Sequence, residues 1–218
     1  GRRRRRVIVA THTIALQDQL LDKDIPLLAA CLPVEFAAVK AVGRTNHLGL
    51  RRLGLALEGM PGLLADDPQV VALRRIQAWA AATPEGLRQE LVPEPPFAIW
   101  DLVRSEGDNC LGRRCTTFDA CFFQTARRRL ENADVIVTNH ALYLTDLRLR
   151  AGGQGFLPEH DAVILDEAHH VEAVTAEHFG VEVSNRALGW LLNRIGGARN
   201  MLGLATADQP RVIPLRKM

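Results

Sequence analysis

Two adjacent carboxylates, Asp166 and Glu167, directly follow a short apolar run at residues 162–165. Such a run is typical of a buried strand, which would hold both acids at its tip. There the first carboxylate can bind Mg²⁺ through water, and the second can orient and deprotonate a water that attacks a phosphate. For a bare acid pair, a cap on the following helix would be the preferred interpretation, but the complete string at 162–169 (AVILDEAH) is far rarer by chance. It indicates nucleotide hydrolysis.

Three cysteines, Cys110, Cys115 and Cys121, lie within twelve consecutive positions. Thiolates at this density can bind a Zn²⁺ ion or an iron–sulfur cluster. Their spacing matches neither the paired short knuckles of zinc fingers nor the short ferredoxin run. The alternative is that all three are buried or free thiols, although their polar and basic neighbours argue against an apolar core site. Cys31, far from the other three, is predicted to be a small core residue.

The composition is that of a folded chain. Of 218 residues, 47% are hydrophobic and 24% charged, which excludes bulk disorder and a collagen-like fibre. No apolar run is long enough to span a membrane and no secretory signal is recognisable, so a cytoplasmic protein is expected. Because the net charge is only +2, nucleic acid would have to bind at local basic clusters. The arginine run at residues 2–6 could be such a tract or a targeting signal, but a solvated lead-in to a strand is the preferred interpretation.

The elements that must position these residues follow a recurrent strand–loop–helix order. Strands are predicted at 7–10, 34–40, 134–138 and 162–165, with a candidate fifth strand at 211–215. Helical patterns cover 63–92, 124–130 and 141–148. This order predicts a parallel α/β sheet, in which ligands bind at the carboxyl ends of the strands. Trp79 lies on the apolar face of its helical pattern and is predicted in the core, whereas Trp100 could stack on nucleic-acid bases.

Several segments, in chain order, resemble the motifs of DinG/XPD-type iron–sulfur DNA helicases of superfamily 2. Residues 7–20 resemble motif Ia, and residues 42–48 resemble the stretch that opens the cluster domain. Residues 110–127 resemble the last three cluster ligands and the helix that follows them. Residues 133–142 resemble the strand and loop before the acids, and residues 162–169 resemble the DEAH box, which is a Walker B element. The resemblance extends to about residue 180. It implies a partial RecA-like P-loop NTPase parallel sheet, an inserted and mainly helical iron–sulfur-type domain, and the start of an arch insertion.

The domain boundaries are implied by the same resemblance. They are 1–40 for the first part of motor domain 1, 41–132 for the inserted cluster domain, 133–172 for the return to motor domain 1, and 173–218 for the start of the arch insertion.

The resemblance further implies an ATP-dependent 5′→3′ DNA helicase for repair or replication, monomeric, with single-stranded and forked DNA as partners. Asp166 would hold the Mg²⁺ of Mg-ATP, Glu167 would activate water, and His169 would couple the nucleotide site to DNA. The implied ligands of a [4Fe–4S] cluster are Cys110, Cys115 and Cys121. The implied DNA contacts are Thr11, His12, Arg44, Arg113, Arg114 and Arg127.

The sequence departs from the family pattern in its nucleotide-binding loop. No Walker A pattern and no Gly-Lys dipeptide occur in the chain, so the backbone loop and the lysine that bind phosphates are missing. We therefore expect an internal or truncated piece of a longer helicase, which by itself would hydrolyse ATP poorly. The alternative function is a non-catalytic, metal-stabilised module that binds single-stranded DNA without ATPase activity.

A second departure concerns the cluster ligands. The family's first cluster cysteine corresponds to Gly49, which offers no ligand atom, so three thiolates remain. The preferred interpretation is a weakened cluster that is labile or absent. His47 lies two residues away and could replace the missing ligand, since histidine ligation of iron–sulfur clusters occurs. A third interpretation is a zinc site formed by the three cysteines and His47.

Overall fold

Four short runs of apolar and β-branched residues form the strands of one sheet in the computed structural model, which describes residues 5–59, 67–153 and 155–179. The strands are β1 (Val7–Thr11), β2 (Ala38–Lys40), β3 (Val135–Asn139) and β4 (Ala162–Leu165). They are all parallel and lie in the order β2-β3-β1-β4. The predicted parallel α/β sheet is confirmed, and its arrangement is that of a partial RecA-like domain.

Helices connect and cover these strands. They are α1 (Ile14–Gln19), α2 (Ile25–Cys31), α3 (Leu50–Glu58), α4 (Pro68–Ala80), α5 (Phe97–Val103), α6 (Phe122–Glu131), α7 (His140–Ala151) and α8 (Val171–Phe179). One π-helical turn (Leu20–Asp24) joins α1 to α2, and short 3₁₀ turns cover Arg44–Asn46, Arg88–Glu90, Gly112–Arg114 and Ala168–His170.

Two predicted elements are shorter in the structure. The strand expected at 34–40 is confined to β2. The helix expected at 63–92 is α4, which begins after Asp67 because that side chain accepts a hydrogen bond from the Gln69 amide at 2.8 Å and proline suits the first helical position. The chain turns after Ala81, although the helical spacing of apolar residues in the sequence continues beyond this point. The predicted strand at 211–215 and most of the predicted arch segment lie outside the described residues.

The buried apolar side chains form two clusters. One lies against the sheet and contains Ile8, Ala41, Leu130, Ala133, Ile136 and Leu157. The other lies among α3, α4 and α5 and contains Leu48, Leu53, Ala56, Leu73, Ile76, Leu91, Trp100 and Val103. The segment between β2 and β3 therefore contributes a second hydrophobic cluster, distinct from the one against the sheet.

A buried carboxylate fixes the loop that leads into β4. The side chain of Asp146 in α7 is fully buried. It accepts a hydrogen bond from the Leu157 amide at 2.7 Å and forms an ion pair with Arg150 Nε at 2.5 Å. Arg6 fixes the opposite side of the same loop by donating to the carbonyl oxygen of Glu159 at 2.8 Å. Both contacts set the position at which β4, and therefore the acid pair, emerges from the sheet.

Several expectations about burial were wrong. Trp100, which could have stacked on nucleic-acid bases, is 2% exposed and lies in the cluster among α3, α4 and α5. The strand β4, expected to be buried, is an edge strand of the described sheet and is mostly exposed. Cys31, expected in the core, is exposed, because α2 buries none of its residues. Arg6, expected to be solvated, is instead held by three main-chain carbonyl oxygens, including that of Ala133 at 2.9 Å. Among the described residues no helix is long and apolar enough to cross a membrane.

Asn139 ends β3 and caps α7, since its Oδ1 accepts a hydrogen bond from the Leu142 amide at 2.9 Å. We expect Asn139→Ala to lower the free energy of unfolding by about 1 kcal/mol, the usual loss of a helix N-cap. Urea unfolding followed by circular dichroism measures this change. Asn132→Ala is the matched control, because Asn132 is exposed at the end of α6. Equal stability of the two variants would contradict the capping role.

Candidate functional site

The carboxyl ends of three neighbouring strands bring polar residues to one edge of the sheet. His12 follows β1, His140 follows β3, and Asp166 and Glu167 follow β4. The register pairs Thr11 with Asn139 and Ala10 with Leu165, so these ends are level with one another. The sequence-based prediction that strand ends would gather at one edge agrees with this arrangement.

The acid pair is presented to solvent by a tight turn. The Asp166 amide donates to the Ala10 carbonyl oxygen at 2.9 Å, which extends the β4 pairing by one residue. Glu167 has left-handed backbone angles (φ 51°, ψ 44°), which are uncommon for a residue other than glycine and mark sites where geometry matters. Its side chain makes no capping hydrogen bond to the turn that follows. Both carboxylates are exposed and can therefore reach a bound ion or water.

His140 holds this turn from beneath. Its ring is buried, and Nε2 lies 2.8 Å from the carbonyl oxygen of Asp166 and 3.0 Å from that of Ala10. Both partners are acceptors, so Nε2 carries the proton. One imidazole N–H thus connects the ends of β3, β1 and β4. The sequence marks His140 by its place directly after a strand, but it does not reveal the hydrogen bonds of the ring to the ends of β1 and β4.

Three more histidines surround Glu167. The His12 ring stacks on that of His170 with centroids 4.0 Å apart, and the His169 ring is also 4.0 Å from His170. His169 Nδ1 lies 3.4 Å from Glu167 Oε2. Desolvation and the neighbouring His12 and His169 lower the pKa of His170, which favours the neutral form of that ring. Of this group only the Glu167 carboxylate suits Mg²⁺, which prefers oxygen ligands.

The residues predicted to contact DNA fall into different environments. His12 is exposed at the sheet edge, and Arg113, Arg114 and Arg127 are exposed on the cysteine-bearing segment. Thr11 is a correction: its side chain is fully buried and donates to the Thr13 carbonyl oxygen at 3.0 Å. A buried hydroxyl with an internal partner does not contact a nucleic acid.

Arg44 belongs to the cysteine region. Its Nε donates to Ser105 Oγ at 3.1 Å, and its guanidinium lies 4.4 Å from the centre of the Phe123 ring. Both contacts fix the side chain, so its charge acts locally on the nearby thiols as well as on any bound phosphate.

The three clustered cysteines line one open cavity, which has a volume of about 360 Å³ including the solvent space at its mouth. Its lining includes Cys110, Cys115 and Cys121 from one segment and Gly49 from the start of α3. The structure therefore brings together the three predicted thiols and the glycine that occupies the expected position of a fourth.

The surroundings of Cys110 favour its thiolate form. Burial alone would raise the pKa of the Cys110 thiol, but the Gly112 amide, which donates to its sulfur at 3.4 Å, and the guanidinium groups of Arg44 and Arg51 lower it overall. Cys115 Sγ lies 3.3 Å from Thr117 Oγ1. The thiolate is the form that binds metal, so the cysteines fit a metal centre.

The spacing of these sulfurs distinguishes one metal ion from several. With Zn–S bonds of about 2.3 Å, a tetrahedral zinc ion needs sulfurs within about 4 Å of one another. Among the described residues, the cysteines are not such a group: the set whose ligand atoms all lie within 4.8 Å of one another is Glu167, His169 and His170. Ligands of an iron–sulfur cluster bind different irons and are farther apart. In this conformation the three thiols are therefore too far apart to be the ligands of one tetrahedral zinc ion.

His47 does not lie with the thiols. Its side chain is 3% exposed, its Nδ1 is 3.4 Å from the Glu85 carbonyl oxygen, and it lines a separate cavity with Phe122 and Arg129. Burial lowers its pKa. The proposals of His47 as a fourth cluster ligand or a zinc ligand are therefore corrected, because its ring packs in the protein core beside Phe123.

Comparisons with known proteins agree with this arrangement. The DEAD_2 family model matches residues 83–188. The chain is 36% identical over 192 residues to the ATP-dependent DNA helicase YoaA of Escherichia coli (strain K12), covering 86% of this chain and 29% of that protein. It is 35% identical over 207 residues to the ATP-dependent helicase DinG of Mycobacterium tuberculosis (strain ATCC 25618 / H37Rv), covering 87% and 30%.

A third relative is named for another activity. The 3'-5' exonuclease DinG of Bacillus subtilis (strain 168) is 30% identical over 193 residues, covering 87% of this chain and 20% of that protein. The chain spans about three tenths of the length of the first relatives. The shared segment carries both the acid pair and the cysteine cavity, and over this segment the chain is similar to the YoaA and DinG proteins.

Proposed function

We propose that this chain is part of the motor of an ATP-dependent DNA helicase. The observation that supports the proposal is the exposed acid pair at the carboxyl end of β4, next to the ends of two parallel strands, where nucleotides bind in sheets of this type. In this proposal residues 1–40 and 133–172 belong to one motor domain, 41–132 to an inserted cluster domain, and 173–218 to the start of an arch insertion.

Each residue of the site has its own role in ATP hydrolysis in this proposal. Asp166 holds the Mg²⁺ of Mg-ATP through its water shell, and Glu167 orients the attacking water and accepts its proton. His169, 3.4 Å from the Glu167 carboxylate, fixes that carboxylate and connects it to His170 and His12 at the adjoining strand end. His140 is a positioning residue that holds the Asp166 main chain.

The DNA contacts of the proposal are sequence-independent. His12 at the sheet edge and the exposed Arg113, Arg114 and Arg127 would neutralise phosphates of a single strand, with Arg44 beside the cysteine cavity. We further propose 5′→3′ translocation, unwinding of forked DNA during repair or replication, a monomeric state, and a cytoplasmic location. These details rest on the family resemblance.

A [4Fe–4S] cluster is the cofactor that fits the cysteine cavity best. Cys110, Cys115 and Cys121 would hold it, and Arg44 and Arg51 would balance part of its negative charge. When bound, the cluster would stabilise the segment between α5 and α6, whose described elements include only a short 3₁₀ turn at Gly112–Arg114.

The proposed function is tested by ATPase assays on the complete gene product that contains this chain. Single-stranded DNA is expected to stimulate ATP hydrolysis, because a translocating motor couples each turnover to strand contact. A protein that binds single-stranded DNA but shows no ATPase activity, with or without DNA, would overturn the helicase proposal. It would favour the non-catalytic binding module, for which the exposed arginines are the supporting observation.

The cluster assignment has its own test. Anaerobically prepared protein is expected to be brown and to contain iron and sulfide, and Cys115→Ser is expected to lose most of both, since a removed thiolate releases a cluster corner. Cys31→Ser is the matched control, because Cys31 is exposed at the end of α2 and distant in sequence from the cavity. Iron content and visible absorbance measure the result. A colourless, iron-free wild-type preparation would refute the cluster.

A further inference from the structure

The cysteine cavity contains three thiols but offers no fourth protein ligand among the described residues that line it. Its remaining side chains include Ser105, Glu106, Asn109 and Thr117. A four-iron cluster bound entirely by protein needs one ligand for each iron. The availability of each polar side chain in this lining therefore decides how the fourth iron is bound.

The carboxylate that lines the cavity already forms ion pairs with two arginines. Glu106 Oε2 pairs with Arg52 Nη1 at 2.7 Å, and Oε1 with Arg104 Nη2 at 3.1 Å. Both arginines and the glutamate are largely buried, with about a tenth to a fifth of each side chain exposed. Turning this carboxylate toward an iron would break the ion pairs of two largely buried guanidinium groups, which would lower the stability of the fold.

The neutral polar side chains of the lining also have partners within the protein. Ser105 Oγ accepts a hydrogen bond from Arg44 Nε at 3.1 Å. Asn109 donates from Nδ2 to Glu106 Oε2 at 3.1 Å. Thr117 Oγ1 lies 3.3 Å from Cys115 Sγ and thus belongs to the surroundings of a bound thiolate. None of the three is a typical cluster ligand.

Gly49 completes this part of the lining with main chain only. Its backbone angles (φ −95°, ψ 99°) lie in the extended region that residues with side chains also adopt. A Cβ built there would lie 3.1 Å from the Val103 carbonyl oxygen and 3.3 Å from that of Arg104, so the main chain at these two residues would have to move by a few tenths of an ångström to admit a side chain. In this chain the cavity wall at residue 49 therefore carries no ligand.

We propose that the cluster in this cavity has one iron without a protein ligand, at the corner that faces Gly49, where water or a small exogenous thiol binds. This inference rests on the proposed cluster. An iron held only by bridging sulfides and an exchangeable ligand is the first to leave on oxidation. With ferricyanide as the one-electron oxidant, [4Fe–4S]²⁺ gives [3Fe–4S]⁺ and Fe²⁺ while ferricyanide becomes ferrocyanide, so charge and atoms balance.

The wild-type protein provides the first test. After anaerobic reconstitution with iron and sulfide, one equivalent of ferricyanide is expected to release one iron per cluster and to produce the electron paramagnetic resonance signal of a three-iron cluster. Retention of all the iron with no such signal would overturn the open corner and leave the cluster proposal intact. A protein that takes up no iron would overturn both.

Substitutions at residue 49 provide the second test. Gly49→Cys is expected to suppress the three-iron signal and the iron release, because the new thiolate binds the open corner. Gly49→Ala adds the same Cβ without sulfur and is expected to behave as the wild type. Gly54→Cys adds a thiol elsewhere in α3, where a Cβ meets no atom within 4 Å, and should also leave the signal unchanged.

The outcomes of this series are separable. A folded Gly49→Cys protein that still loses iron like the wild type would overturn the assignment of the open corner to Gly49. Suppression by Gly49→Ala or by Gly54→Cys would overturn it as well, because neither places a thiolate at that corner. If Gly49→Cys fails to fold, the wild-type oxidation experiment decides the proposal alone.

Discussion

Glu167→Gln is expected to lower kcat for DNA-stimulated ATP hydrolysis by the complete gene product about 10²- to 10⁴-fold, the usual contribution of a positioned general base. The amide keeps the shape of the carboxylate but cannot accept the proton of the attacking water. Because the bound nucleotide touches Asp166 through Mg²⁺ in our proposal, KM for ATP should change little. Steady-state ATPase assays with saturating single-stranded DNA measure both constants.

The matched control for this result is Glu172→Gln. Glu172 is an exposed carboxylate in the first turn of α8, five residues after Glu167, so the same chemical change is made outside the proposed site. Its kcat should equal that of the wild type. A Glu167→Gln protein with wild-type kcat would refute the role of Glu167, and an equal loss in both variants would show a general effect of lost charge.

Trp100→Ala is expected to lower the free energy of unfolding by about 3–5 kcal/mol, the cost of removing a large buried aromatic side chain. Trp100 is 2% exposed and is the largest side chain of the cluster among α3, α4 and α5. Its Nε1 donates to the Thr45 carbonyl oxygen at 2.8 Å, so truncation also leaves that carbonyl without its partner. Chemical denaturation followed by fluorescence or circular dichroism measures the change.

Two further variants separate the causes of this loss. Trp100→Phe keeps an aromatic ring but removes the N–H, and its loss should be smaller than that of Trp100→Ala. Phe97→Ala removes an aromatic ring from the same helix, but Phe97 is 58% exposed, so its effect should be small. Comparable losses for Phe97→Ala and Trp100→Ala would contradict a core centred on Trp100.

Periodicity predicted the sheet better than the helices. The strands carry short runs of β-branched residues that end at polar residues, so their centres were evident from the sequence. The limits of α4 depend on a single capping side chain, Asp67, which the apolar spacing does not reveal. The exposure of Cys31 could not be predicted either, because an apolar helical pattern does not show whether another element covers the apolar face of the helix.

The candidate site was predictable where chemistry depends on residue type and not where it depends on packing. The acids and the thiols were selected for their residue types, and the structure places the acids at the carboxyl edge of the sheet and the thiols around one cavity. Thr11 was misassigned because its hydroxyl is satisfied within the chain, by the Thr13 carbonyl oxygen. The position of His47 was misassigned because proximity to Gly49 in sequence does not bring its ring into the same cavity.

The hydrogen bonds of His140 have a consequence for motion at the sheet edge. Its Nε2 lies within 3.0 Å of carbonyl oxygens at the ends of both β1 and β4, and its own main chain continues β3 into α7. A shift of the Asp166 turn would therefore strain the hydrogen bonds that join it, through the His140 ring, to the end of β1. In the proposed motor, displacement caused by a departing phosphate would reach the loop of His12 through this side chain, and amide hydrogen exchange at both loops should change in concert.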